Sequence, residues 1–206
     1  MAIGAIGRRH GELEGPRVLL RGLRDSDFEE WRDVRLANRA WLEPWEPLPE
    51  FGTPDAAADR SAFRARCAAW DRQRQFDAAY GFGVFLGPRL VGEVSLGSVQ
   101  RGPFQSAYIG YWVAEEHAGR GIAPEAVVLL MRFGFETLAL HRLEAAVVPR
   151  NAASRRVASK LGLRDEGTAR ELLQIRGTFE DHVRYAMVAD EWFDRRDALA
   201  ARFLGA

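Results

Sequence analysis

The segment Gln105–Gly134, QSAYIGYWVAEEHAGRGIAPEAVVLLMRFG, runs from a strand through a glycine-rich turn directly into a helix. Ser106–Val113 carries Tyr108, Tyr111, Trp112 and Val113, the aromatic and β-branched side chains that suit a half-buried pleated surface. Ala118-Gly119-Arg120-Gly121-Ile122-Ala123 forms the turn. Pro124 falls in the first turn of a helix, where a missing N–H costs nothing, and Val127, Leu130, Met131, Gly134 and Leu138 recur along one face. Such a helix has a core side and a free amino end. Its first-turn N–H groups lack intrahelical partners and sit at the positive end of the dipole, so they suit an anion. Gly119 and Gly121 carry no Cβ to keep a phosphate off the backbone, and Arg120 adds a full charge beside them. A diphosphate fits this pattern, as does an ordinary tight turn. There is no Gly-Lys-Ser/Thr of a Walker loop and no full Gly-x-Gly-x-x-Gly of a dinucleotide fold.

The run 118–123 resembles the Gln/Arg-x-x-Gly-x-Gly/Ala signature of the GCN5-related N-acetyltransferases (GNAT), with Ala118 at the usual Gln/Arg position. Asn151-Ala152-Ala153-Ser154, followed by Lys160-Leu161-Gly162-Leu163, resembles the Asn-x-x-Ser and Leu-Gly-Phe elements of the same family, in the same order. Residues 90–113 and 172–185 resemble the RimJ/RimL branch, the ribosomal-protein alanine and serine N-acetyltransferases. The likeness spans about residues 15–193.

That resemblance implies an α/β fold, the GNAT fold: one mixed, mostly antiparallel sheet flanked by helices, with two central parallel strands splayed apart. It implies acetyl-CoA as co-substrate, its pyrophosphate on Gly119, Arg120, Gly121, Ile122 and Ala123. Its pantetheine arm would pair with the backbone at Trp112 and Val113 and be reached by Asn151. Ser154 would lie near the thiol, able to assist the departing thiolate. Many relatives carry a tyrosine acid where this chain has Ala158, which raises Ser154 by default.

The residues leave other assignments open. Glu93 is an acid in an otherwise apolar run, either a base or water-holder for the attacking amine or a side chain the pleat turns outward. Glu171 is a second candidate base. RimL-like enzymes are expected to carry their acid where this chain has Leu173, a position sharing a strand face with Glu171. Trp41 and Trp45 wall an acceptor groove or pack a loop, and Glu43 or Glu46 meets a cationic amine. Asn151 and Ser154 also read as plain helix caps. Asp181-His182 reads as a structural pair at a hairpin, since neighbouring strand residues face opposite ways. His117 flanks the anion loop.

Elsewhere, Arg17–Leu23 reads as a strand, and Asp25-Ser26-Asp27 opens a helix to about Arg39. The prolines of 41–47 argue against regular structure there. Thr53-Pro54-Asp55 opens a second helix to about Arg74, with Phe63, Cys67 and Trp70 on its apolar stripe and Cys67 as core. Residues 79–86 and 90–96 form a hairpin about Gly87-Pro88. Residues 141–148 form a buried strand, and 170–175 with 182–188 form a last hairpin. Residues 190–204 form an amphipathic helix that docks on the domain or on a second subunit. The expected organisation is one domain over 1–206, with 1–14 as a flexible extension.

The 206 residues balance 29 basic against 29 acidic side chains, which excludes binding by blanket attraction to DNA, RNA or an anionic membrane. A single cysteine precludes an internal disulfide and speaks against a zinc site, so no metal is expected. The opening residues lack the apolar run of a secretory signal, and a cytoplasmic protein, monomer or homodimer, is the expectation.

The implied activity is direct acyl transfer to a primary amine, most naturally the α-amine of a protein N-terminus (Ala or Ser), such as that of a ribosomal protein. An α-amine titrates near 7.7–8.0 against about 10.4 for lysine, so it needs little help from a base. A small-molecule amine, amino acid or antibiotic is the alternative acceptor. A non-catalytic acetyl-CoA sensor is a third possibility, favoured if Glu93 and Glu171 both lie remote from the acyl group while the phosphate loop is retained.

Overall fold

The computed structural model describes residues 11–49 and 51–205. Eight strands form one open sheet: β1 (Glu12–Glu14), β2 (Val18–Arg21), β3 (Tyr80–Leu86), β4 (Arg89–Gln100), β5 (Ser106–Val113), β6 (Arg142–Val147), β7 (Arg164–Ile175) and β8 (Thr178–Val188). In space they run β1-β2-β3-β4-β5-β6-β8-β7. Every neighbouring pair is antiparallel except β5 and β6, which are parallel, as the crossover through a helix requires. The helices are α1 (Phe28–Ala37), the short α2 (Arg39–Leu42), α3 (Arg60–Gln75), α4 (Ile122–Arg132), α5 (Ala152–Lys160) and α6 (Ala189–Phe203).

Alternation along the strands feeds two separate cores. Leu20, Val84, Val91, Val94 and Leu96 pack with the apolar face of α4, while Leu19, Phe85 and Leu90 pack with Phe28, Trp31, Phe63 and Cys67 of α1 and α3. Helix α4 is buried almost all round, because β2, β4 and β5 lie beneath it and α6 lies across it. The ring of Trp192 on α6 stacks on Phe135 at 5.5 Å and its indole N–H donates to Glu136 at 3.0 Å, so α6 docks on its own chain. Cys67 sits in the smaller core at 8% exposure, and burial pushes its thiol up to about 11, which makes it an inert core residue.

The structure corrects several boundaries. Residues 12–14 pair with β2 as an outermost strand, so the expected extension is structured there, and residues 1–10 lie outside the described part. Helix α3 begins at Arg60, because Asp59 caps it by accepting from the Ser61 N–H at 2.7 Å. The acid expected to cap it, Asp55, instead accepts from the Ala57 N–H and closes a separate turn. Residues 39–45 are helical despite Pro44, which sits in the opening of a short 3-10 turn, where its missing N–H is harmless. Asp27 does not cap α1; its carboxylate turns back to Arg21 and to the Arg24 N–H. Strands β7 and β8 are both longer than their alternation suggests.

On the outer strands Glu166 accepts hydrogen bonds from Arg142 and, at 2.9 Å, from Arg164. These two guanidiniums hold its carboxyl down at about 2. A folded value below the unfolded one, near 4.3, stabilises the fold above the unfolded value and is lost as the pH falls through the folded one. Glu166→Gln is therefore expected to unfold at lower urea than the wild type near neutral pH, with the gap closing as the pH drops from about 4.3 to about 2.

Candidate functional site

The amino end of α4 is built by backbone that only glycine adopts freely. Gly119 and Gly121 have φ of 75° and 82°, and Gly121 is the residue preceding the helix. A Cβ on Gly119 would meet nothing within 4 Å, whereas one on Gly121 would lie 3.2 Å from the Arg17 guanidinium. Behind the turn, Glu125 is fully buried. Its Oε1 accepts from the N–H groups of Arg17 at 2.8 Å and Val18 at 3.0 Å, and its Oε2 accepts from Arg17 Nε at 2.6 Å. Arg17 in turn donates to the Arg120 carbonyl at 3.0 Å. The buried acid thus ties the start of β2 to the glycine turn, and its charge sits favourably in the first turn of α4. Gly119, Gly121 and Ala123 face the cleft described next; Arg120 is exposed beside it, and Ile122 is buried at the helix start.

Strands β5 and β6 pair only at Ser106–Arg142, Ala107–Leu143 and Tyr108–Glu144, and then part. The gap continues into a cleft of about 640 Å³ that reaches from the glycine turn to Glu93. Asn151 and Ser154 line it from α5. Asn151 caps that helix by accepting from the Ser154 N–H at 3.0 Å, so the cap and the cleft residue are the same side chain. The Tyr111 hydroxyl lies 2.7 Å from Ser154 Oγ and 3.2 Å from the Ser154 carbonyl oxygen, both within hydrogen-bond reach of its one proton. Val113 lines the end of β5, where its carbonyl accepts from the Trp41 indole at 3.1 Å.

At the far side, Glu93 is held by three donors. Its Oε1 accepts from the indoles of Trp31 at 2.8 Å and Trp112 at 3.3 Å, and its Oε2 from Arg66 at 2.6 Å. The pleat does turn Glu93 off the α4 face, but toward α1 and α3 rather than into solvent, leaving its side chain 12% exposed. Trp41, Trp45, Trp70 and Trp112 complete the walls. Glu46 also lines the cleft, yet both its oxygens accept from Arg35 at 2.8 Å, and Arg35 lies over the Trp112 ring. Glu43 pairs instead with Arg39 and Arg176 and does not line the cleft. His117 does line it, beside the turn.

The structure does not bring Glu171 to this site. A register shift between Ala169 and Leu173 puts Glu171 in a left-handed conformation, φ 46°, on the exposed outermost strand, away from the cleft-lining residues. The bulge also breaks the face that Glu171 and Leu173 would share in a regular strand. Asp181 accepts from the Glu171 N–H at 2.9 Å and so supports the bulge, while His182 is buried with Nδ1 2.9 Å from the Glu180 carbonyl. Arg66, Tyr111 and the Arg17–Glu125 clamp were not singled out from the sequence; their partners are 27 or more residues away, and no local pattern encodes them.

Among the described residues no group of three or more His, Cys, Asp or Glu could hold a metal, and no helix is long and apolar enough to cross a membrane. The residues present fit a phosphate-bearing group with a slender arm: a glycine cradle at the amino end of an eleven-residue helix opens onto a gap between parallel strands.

Comparison with known proteins agrees with this geometry. The family described as Acetyltransferase (GNAT) domain matches residues 17–164. Among curated relatives, the probable N-acetyltransferase YjcK of Bacillus subtilis is 37% identical over 174 residues, covering 82% of this chain and 93% of that protein. The [Ribosomal protein uS5]-alanine N-acetyltransferase of Escherichia coli is 29% identical, covering 87% and 92% respectively. Among solved structures, Mycobacterium smegmatis RimJ in complex with CoA-disulfide superimposes with a TM-score of 0.83 at 32% identity, over 93% of this chain and 92% of that one. With that family matched across the glycine turn and the splayed strands, the chain belongs to the GNAT acetyltransferases, in their RimJ/RimL branch, and is an N-acetyltransferase with acetyl-CoA as co-substrate.

Proposed function

We propose that the acceptor is the N-terminal α-amine of a protein, with Ala or Ser as first residue, such as a ribosomal protein. The observation that carries the reading is the two-sided cleft: the glycine turn lies at one end and Glu93 at the other. The names of relatives that acetylate ribosomal-protein alanine support the acceptor class. That Glu93 lines the same cleft as the glycine turn speaks for catalysis over a non-catalytic sensor.

Acetyl-CoA supplies the activated acetyl group. On this reading the turn at Gly119–Ala123, with the Arg120 charge, holds the pyrophosphate, while Trp112 and Val113 backbone and Asn151 align the arm. Glu93 orients the incoming neutral amine or a water beside it. Three donors already fix the carboxylate: Oε1 accepts from both indoles, and Oε2, which accepts from Arg66 alone, retains lone-pair capacity for one further hydrogen. Backbone near Val113 meets the developing oxyanion charge, and Ser154 meets the sulfur. Glu171 takes no part.

Glu93→Gln keeps the shape but not the charge, and its kcat is expected to fall about a hundredfold. The variant should also lose the lower limb of the pH–rate profile, its deficit shrinking as the pH falls and the wild-type carboxylate is protonated; a profile of the same shape as the wild type's would assign proton removal to water alone.

The four tryptophans favour a second acceptor class, a small amine bearing a flat ring. Release of free CoA, measured on peptides differing in their first residue and on small ring-bearing amines, separates the two. Turnover confined to Ala- or Ser-initiated peptides, with the added mass on the α-amine, supports the protein acceptor; turnover on small amines alone overturns it.

A further inference from the structure

We infer that Tyr111 is a positioning residue for the departing thiolate: its hydroxyl donates to Ser154 Oγ, and this aims the serine's own proton at the CoA sulfur. The inference rests on the proposed placement of Ser154 near the thiol and adds a residue to it.

The geometry leaves few arrangements. The Tyr111 oxygen lies 2.7 Å from Ser154 Oγ and 3.2 Å from the Ser154 carbonyl. A phenol has one proton, so it serves one of these acceptors well. If it serves the carbonyl, the serine hydroxyl donates back to the phenol oxygen, and neither proton is available to the cleft. If it serves Oγ, the serine proton is free to leave the pair. A serine in a helix otherwise tends to donate to the carbonyl four residues back, here Arg150, but the Ser154 Oγ is drawn to the Tyr111 hydroxyl instead. An anionic sulfur selects the second arrangement, because a charge-assisted hydrogen bond is roughly twice as strong as a neutral one. Tyr111 is itself fixed, by its place opposite Val94 in the β4–β5 ladder. Ala158, buried on α5, offers no hydroxyl to compete.

The pair donates hydrogen bonds and keeps its protons. Burial, partly offset by the bond to Ser154, pushes the Tyr111 phenol up to about 12. A phenol at that value does not yield its proton to a thiolate, since thiols such as that of cysteine, near 8.5, are the stronger acids. The C–S bond breaks with its electron pair on sulfur. The amine's proton passes to Glu93 or water, and the thiolate, hydrogen-bonded by Ser154, takes up a proton as CoA leaves.

The test titrates the thiol of CoA bound to the full chain, read by the ultraviolet absorbance of the thiolate. Cys67 stays silent in the relevant range, since its thiol titrates at about 11. The bound thiol of the wild type is expected about one pH unit below that of free CoA titrated in the same buffer. Tyr111→Phe is expected to return it to the free value and to lower kcat about tenfold, with the KM for acetyl-CoA unchanged. A Tyr111→Phe/Ser154→Ala double variant should be no slower than Ser154→Ala alone, because Tyr111 acts through Ser154. Normal CoA binding with an unmoved thiol titration in Tyr111→Phe, or losses that multiply in the double variant, would overturn the role of Tyr111 alone. Failure of the wild type to bind CoA in calorimetry would overturn the proposed cofactor placement, and this inference with it.

Discussion

A Gly121→Val variant is expected to bind acetyl-CoA about a hundredfold more weakly than the wild type in calorimetry, a difference of about 2.7 kcal/mol. Two effects combine. At φ 82° a β-branched residue is strained, which costs about 1–3 kcal/mol and is relieved by distorting the turn. The new side chain also starts 3.2 Å from the Arg17 guanidinium, so it displaces the group that holds the Arg120 carbonyl. Both effects move the first-turn amides of α4 that the proposed pyrophosphate contact uses. Gly121→Ala, with the same positive φ and one methyl, should fall between. Unchanged affinity in the valine variant would remove the turn from the phosphate assignment.

Glu125→Ala is expected to be the most destabilising single change at the site, by about 3 kcal/mol, read as a lower urea midpoint at unchanged m-value. Its carboxylate is fully buried and accepts two main-chain N–H groups and one guanidinium N–H. Alanine leaves the amides of Arg17 and Val18 without that acceptor, and Val18 is itself buried. Glu125→Gln should recover part of the loss, because its oxygen can still accept from the two amides while its NH₂ faces the Arg17 donor. Since Arg17 also supports the glycine turn, acetyl-CoA affinity should fall alongside stability; a variant that loses stability yet binds normally would separate the clamp from the turn.

The segment 105–134 carried much of the fold in its sequence, because strand, turn and helix are each encoded by neighbours. The strand 106–113 is observed at the expected residues, and the helix begins just after the second glycine. Local signals failed where two were in competition. Asp55 and Asp59 are both good caps, and only packing of Ala57 and Phe63 into the smaller core selects the second. Prolines at 44 and 47 read as breakers, yet the first occupies the one part of a helical turn that tolerates it. At the site, the glycine turn, Asn151, Ser154 and Glu93 were all visible as residue types, and the structure brings them to one cleft. The link between Glu171 and the acid position at Leu173 rests on counting in twos along a strand, and the left-handed conformation of Glu171 itself breaks that count. The partners of Glu93, Ser154 and Glu125 come from other elements, and no spacing in the sequence announces them.

The parting of β5 and β6 gives the sheet an edge in its interior. Edges ordinarily invite a foreign strand, and proteins blunt them with charges, prolines or short lengths. Here the protection is positional. The part of β5 left without a β6 partner lines the cleft from Gly110 to Val113, beside α5 and the glycine turn, with the Trp41 indole already on its last carbonyl. On the proposed cofactor placement, the strand that pairs there is a thin chain carrying amides and few branches rather than a polypeptide. Backbone pairing that would elsewhere promote aggregation thereby becomes a filter for the shape of one ligand arm.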